Sequence, residues 1–128
     1  MNKTKRLGIW MDHSNAHLME FITSNGKGQI GNETKEHQDK VVSLGRSEYQ
    51  THHKEKGHQE AYYQKLGETI KNYDEVLLFG PSDAKEELAN RLGQNHIYQH
   101  VKITTQQADK MTEPQQQAFV RNFFLHAL

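Results

Sequence analysis

Residues 74 to 88, Asp-Glu-Val-Leu-Leu-Phe-Gly-Pro-Ser-Asp-Ala-Lys-Glu-Glu-Leu, restrict the fold more than any other part of the chain. Val76 to Phe79 form the only run of four large apolar side chains, and so short a continuous run suits a central strand covered on both faces. Gly80 and Pro81 break that strand. Ser82 is expected as the N-cap of a following helix, its hydroxyl accepting a backbone N–H of the first turn, with Asp83 near the positive end of the helix dipole. Ala84, Leu88, Ala89 and Leu92 then recur as one apolar stripe. Strand, turn and amphipathic helix make half of an α/β unit.

The preceding residues read as a meander. Residues 6 to 12 alternate Leu7, Ile9 and Met11 against Trp10, and a turn over Asp12 to Asn15 leads into a second strand, Ala16 to Ile22, in which His17, Met19 and Phe21 alternate with Leu18, Glu20 and Ile22. Asn25 and Gly26 signal another turn, and residues 29 to 36 are poor enough in apolar side chains to form an edge strand. Residues 37 to 58 read as a long polar loop, a length that is uncommon unless the loop is functional or disordered. A helix is expected from about residue 53 to 72, where Ala61, Tyr62, Leu66 and Ile70 recur at helical spacing. A short β-branched strand follows at Val101 to Thr105. Thr112-Glu-Pro-Gln115 has the pattern of a capping box with proline in the first turn, opening a last helix faced by Phe119, Val120, Phe123, Phe124 and Ala127.

The resulting order, βββαβαβα, predicts a ribonuclease-H-like three-layer α/β fold. Two parallel strands join the meander beside strand one, giving a five-stranded mixed sheet. At 128 residues the chain has the length of a single domain spanning residues 1–128. No apolar stretch approaches the roughly 20 residues of a membrane span, so no membrane association is expected. With no cysteine there is no disulfide, thiolate nucleophile or Cys-type zinc site, which fits a cytoplasmic protein. Basic and acidic side chains balance at 16 each, so no global positive field advertises nucleic acid.

With these elements in place, the chain resembles the middle domain of archaeo-eukaryotic class I release factors and Pelota, and more closely the small bacterial and archaeal relatives labelled translational machinery proteins. The resemblance is carried by the hairpin Leu7-Gly-Ile-Trp-Met-Asp-His-Ser-Asn-Ala-His-Leu, by Gly45-Arg46-Ser47 in the polar loop, and by Val76-Leu-Leu-Phe-Gly-Pro-Ser-Asp-Ala-Lys85. It implies a translation-related module that binds RNA or the ribosome, with tRNA as a further candidate partner. Release factors carry a Gly-Gly-Gln tripeptide in the loop after the meander, where it assists peptidyl-tRNA hydrolysis, and this sequence has no such tripeptide. Transfer of the hydrolase activity is therefore not expected, and a non-enzymatic binding role is the leading expectation.

The residues themselves suggest where binding would occur. Arg46, Tyr49, His52, His53, Lys54, Lys56 and His58 place basic and aromatic side chains together, a composition suited to RNA backbone and bases. A solvated loop accounts for the same residues without function. Ser82 and Lys85, at the start of the helix after the Gly-Pro turn, are candidate anion ligands, although structural punctuation is the stronger reading there. Asp12 is the candidate catalytic residue of an alternative, a metal-dependent nuclease drawing on Glu20, Glu60 and Asp74 as companions. As a turn residue accepting local backbone hydrogen bonds, Asp12 needs no such role. The spacing of His52, His53 and His58 does not make a metal set, and no metal or cofactor is expected. A homodimeric interaction protein is a third alternative.

Overall fold

The computed structural model describes residues 4–24, 26–38 and 48–127, with the side chains of 48–56 outside the description. Its elements run β1 (Arg6–Met11), β2 (Asn15–Ser24), β3 (Lys27–His37), α1 (Glu48–Ile70), β4 (Glu75–Gly80), α2 (Ala84–Gly93), a short 3-10 turn (His96–Tyr98), β5 (Lys102–Gln107) and α3 (Glu113–Ala127). The sheet order is β3-β2-β1-β4-β5. The first three strands pair antiparallel, and β4 and β5 add in parallel beside β1. This is the five-stranded mixed sheet and βββαβαβα order expected from the sequence.

The apolar run of β4 is divided between two cores. Val76 and Leu78 pack toward α1 and α2 with Leu7, Ile9, Leu18, Leu66 and Leu88. Leu77 and Phe79 pack toward α3 with Trp10, Met19, Phe21, Val120 and Phe124. All four side chains are essentially inaccessible, which for each is worth about 1.5–3 kcal/mol of hydrophobic free energy. The faces of β2 alternate as expected, with His17, Met19 and Phe21 buried on the α3 side. The helix stripe of α1 is corrected in one place: Tyr63 is buried and Ala61 is exposed.

Two glycines are fixed by close approach. Gly80 has φ +154°, and a Cβ on it would lie 2.0 Å from the carbonyl oxygen of Met11, so only glycine lets β4 run against β1 and turn into Pro81. A Cβ on Gly8, at the centre of β1, would lie 2.3 Å from Cγ2 of Val120. Gly8 is thus the notch into which α3 seats. That helix begins with the expected capping box: the Thr112 N–H donates to Gln115 Oε1 at 2.8 Å, and the Gln115 N–H donates to Thr112 Oγ1 at 3.3 Å.

Three departures from the sequence reading bear on the candidate site. The loop expected over 37–58 is cut at both ends, because His37 closes β3 and α1 starts at Glu48 instead of about residue 53. The first turns of α1 are dominated by polar residues, so they carry no apolar period to reveal them. At α2 the N-cap position is Asp83, not Ser82, although the Ser82 hydroxyl still accepts the Ala84 N–H at 3.3 Å.

Candidate nucleic-acid interface

β1, β3, β4 and β5 all run in one direction, so Met11, His37, Gly80 and Gln107 end at the same edge of the sheet. The turn Asp12–Asn15 and the starts of α1, α2 and α3 lie at that edge as well, the place where α/β folds gather loops for binding. Helix α1 is too long for the sheet it covers. Its 23 residues span roughly 34 Å at 1.5 Å per residue, against roughly 20 Å for the six residues of β1. The Tyr62 hydroxyl donates to the Asp12 carbonyl oxygen at 3.0 Å and so marks the level of the sheet edge on the helix. Residues 48–56 therefore continue about 9–21 Å past that level along the helix axis.

Most of the residues expected to contact RNA fall on this projection. Arg46 lies outside the described residues. Tyr49, His52, His53, Lys54 and Lys56 are on α1, with side chains outside the description. Helical spacing puts Tyr49, His52, His53 and Lys56 on one stripe (i, i+3, i+4, i+7) and Lys54 with His58 on another (i, i+4). His53 and His58 are about 140° apart around the helix, so they do not make a metal pair. His58 is half-buried and lines a cavity of about 340 Å³ with His37, Tyr62, Gln64 and Lys65. Burial is the main cause that pushes the Tyr62 phenol far above its ordinary range, with the Asp12 charge adding to it.

Other sequence candidates are engaged internally. Lys85 is 1% exposed, its ammonium donating to the Ser82 carbonyl oxygen at 2.6 Å and to Gln107 Oε1 at 2.9 Å, with Glu86 at 3.4 Å. It ties the turn after β4 to the end of β5 from the second position of the helix. Asp12 accepts the N–H groups of Ser14 and Asn15 at 2.8 and 2.7 Å, as a turn residue does. Two of the companions proposed for it are not drawn in. Glu20 pairs in register with Leu7 and Asp74 accepts the Lys5 N–H, so both sit at the opposite end of β1 from Asp12. Among the described residues no group of three carboxylate or imidazole side chains could hold a metal ion.

A buried polar bridge on the α3 side was not anticipated. His17, 5% exposed, places Nδ1 at 2.6 Å from Gln116 Oε1 and Nε2 at 2.8 Å from Glu33 Oε1. Gln116 is oriented by its own Nε2, which donates to the Met111 carbonyl oxygen at 3.1 Å, and Gln117 Nε2 donates to Glu33 as well. Both ring nitrogens of His17 are thus engaged by side-chain oxygens. Beside it, Lys35 donates to Glu113 at 2.8 Å, holding that carboxyl below its usual range. The partners His17 and Gln116 are 99 residues apart. The alternation of β2 marks His17 as inward-facing, but nothing in the sequence couples it to α3.

Trp10 completes this region. It is 8% exposed, and its indole N–H meets no acceptor among the described residues, a deficit of about 1–3 kcal/mol for a buried donor. Trp10, Asn15, His17, Lys35, His37 and Gln116 line a cavity of about 260 Å³ at the same sheet edge.

Sheet order, helix placement and the long first helix define a ribonuclease-H-like α/β domain, and solved structures give it a nearer likeness. The Pelota protein of Thermoplasma acidophilum matches 87% of this chain with a TM-score of 0.53 at 16% identity, and Pelota of Archaeoglobus fulgidus matches 98% with a TM-score of 0.56 at 9% identity. The fold is that of a Pelota-like domain. The chain spans 30% and 32% of the length of those two proteins. The resolvase of Fowlpox virus, solved with Holliday junction DNA, matches 94% of this chain and 73% of its own, with a TM-score of 0.52 at 10% identity. No protein-family model and no curated protein sequence matches the chain. Among the described residues no helix is long and apolar enough to cross a membrane.

Proposed function

We propose that this chain is a translation-related module of the cytoplasm that binds RNA on the ribosome or on tRNA and works without a Gly-Gly-Gln tripeptide. The observation that carries this reading is the projection of α1 past the sheet edge, with Tyr49, His52, His53 and Lys56 on one stripe and Lys54 and His58 on another. Lysine, arginine and protonated histidine neutralise a phosphate backbone, and tyrosine complements them by stacking on bases. Likeness to Pelota supplies the translational context. The nuclease alternative draws no support from the carboxylates, since Asp12 stands apart from Glu20 and Asp74.

The test is co-sedimentation with ribosomes and anisotropy of labelled single-stranded RNA, comparing wild type with Arg46→Ala, Lys54→Ala and Lys56→Ala combined. Loss of up to three phosphate contacts lowers the slope of log affinity against log salt by about 2 and weakens binding to all sequences alike. Unchanged co-sedimentation and an unchanged salt slope refute the interface.

A further inference from the structure

We propose that the cavity between the ends of β1, β2 and β3 and the start of α3 receives one unpaired nucleobase of a bound RNA strand. This rests on the RNA-binding reading above and names a subsite for it. At about 260 Å³ the cavity falls just under the range of ordinary small-molecule sites, which suits a single flat ring system and excludes a whole nucleotide.

The lining selects for a neutral, polar ring. Its charged members are already matched: Lys35 pairs with Glu113 at 2.8 Å, and Glu36 pairs with Lys65 at 3.6 Å, so neither a phosphate nor a cation finds an uncompensated partner. Three polar side chains in the wall, Trp10, His17 and Gln116, are more than nine-tenths buried. His17 and Gln116 are held by the bridge to Glu33 and Met111, so that side of the cavity is preorganised. Trp10 lends the wall an aromatic side chain against which a base ring would pack. Asn15 offers a donor and an acceptor at the mouth, the pairing needed to read a base edge. His37 lines both this cavity and the one beside α1, so the base site adjoins the flank of the projecting helix.

Trp10 is the sole tryptophan, and its fluorescence reports this site alone. The experiment titrates wild type and an Asn15→Ala, His37→Ala double variant with the four ribonucleosides and with a labelled single-stranded oligoribonucleotide. It reads Trp10 emission with excitation at the red edge of its band and, in parallel, oligomer anisotropy. Both substitutions are at accessible positions, and circular dichroism checks that the variant is folded. Saturable quenching is expected, at least tenfold tighter for the oligomer than for any nucleoside, and roughly fivefold or more weaker in the double variant, the effect of losing one or two hydrogen bonds. Equal affinity for nucleoside and oligomer overturns the assignment to an RNA strand, and equal quenching in wild type and variant overturns the site. Absent quenching while anisotropy still reports binding overturns the cavity and leaves the α1 interface standing. Absent binding in both measurements overturns both.

Discussion

The seat of α3 on β1 can be tested as a coupling between two side chains. A methyl added at Gly8 would lie 2.3 and 2.7 Å from the two Cγ atoms of Val120 and 3.0 Å from its Cβ, against an ordinary carbon contact of about 3.5–4 Å. Gly8→Ala alone forces α3 outward, a cost of about 2 kcal/mol that is partly offset by about 0.5 kcal/mol from the stiffer unfolded chain. Val120→Ala alone deletes two fully buried methyl groups, about 2 kcal/mol with the cavity left behind. In the double variant the new methyl occupies the space the valine vacated, and only the 3.0 Å approach to Cβ remains, a few tenths of an ångström to relax. The double variant should therefore lose about 1.5 kcal/mol where additivity gives about 3.5, a favourable coupling of about 2 kcal/mol. Urea unfolding measures it, through midpoints at unchanged m. Free energies that add to within about 0.5 kcal/mol would refute the notch-and-seat account.

Gly80→Ala meets backbone instead of a movable side chain, with the Met11 carbonyl oxygen 2.0 Å from the new Cβ at φ +154°. It should cost about 3 kcal/mol or more, lowering Tm by about 10 °C, whereas Gly93→Ala, which meets nothing within 4 Å, should be neutral or slightly stabilising; similar losses at the two sites would refute the distinction. Burial, then the Glu20 carboxylate that accepts its hydroxyl, pushes the Tyr73 phenol up to about 12. Because the folded state holds this proton more tightly, the associated stability is complete below about pH 10 and is lost as pH rises toward 12. Tyr73→Phe should flatten the decline in urea midpoint between pH 9.5 and 11.5, and an identical decline in the variant would show that the phenol is not responsible.

Local signals were strong enough to place most of the architecture. The four-residue run of β4, the Thr112–Gln115 box and the alternation in β2 each depend on near neighbours, and each appears in the structure as its residues imply. The start of α1 was hidden because the usual mark of a helix is a recurring apolar face, and residues 48–58 supply no such period. Lys85 illustrates the opposite failure. A lysine at a helix start reads as an exposed cation, yet Ser82 and Gln107, from the turn before it and the strand after it, close over its ammonium. The His17 bridge was illegible for a related reason: Glu33 sits across a hairpin and Gln116 on the last helix, and no periodicity records such a meeting.

The two borders of the sheet differ in how they meet other chains. β3 runs eleven residues along an open border, long enough to template pairing with a foreign strand. Its ladder is broken midway, where Gly31 and Asn32 together oppose Glu20, and Lys27, Glu33, Lys35 and Glu36 stud its length with both signs of charge. β5, at the other border, is only six residues long and carries threonine and glutamine where an aggregating segment would carry large apolar side chains. Among the described residues both borders thus carry features that oppose pairing with a further strand. Neutralising Lys35 and Glu36 while straightening the bulge is the change that would put its solubility most at risk.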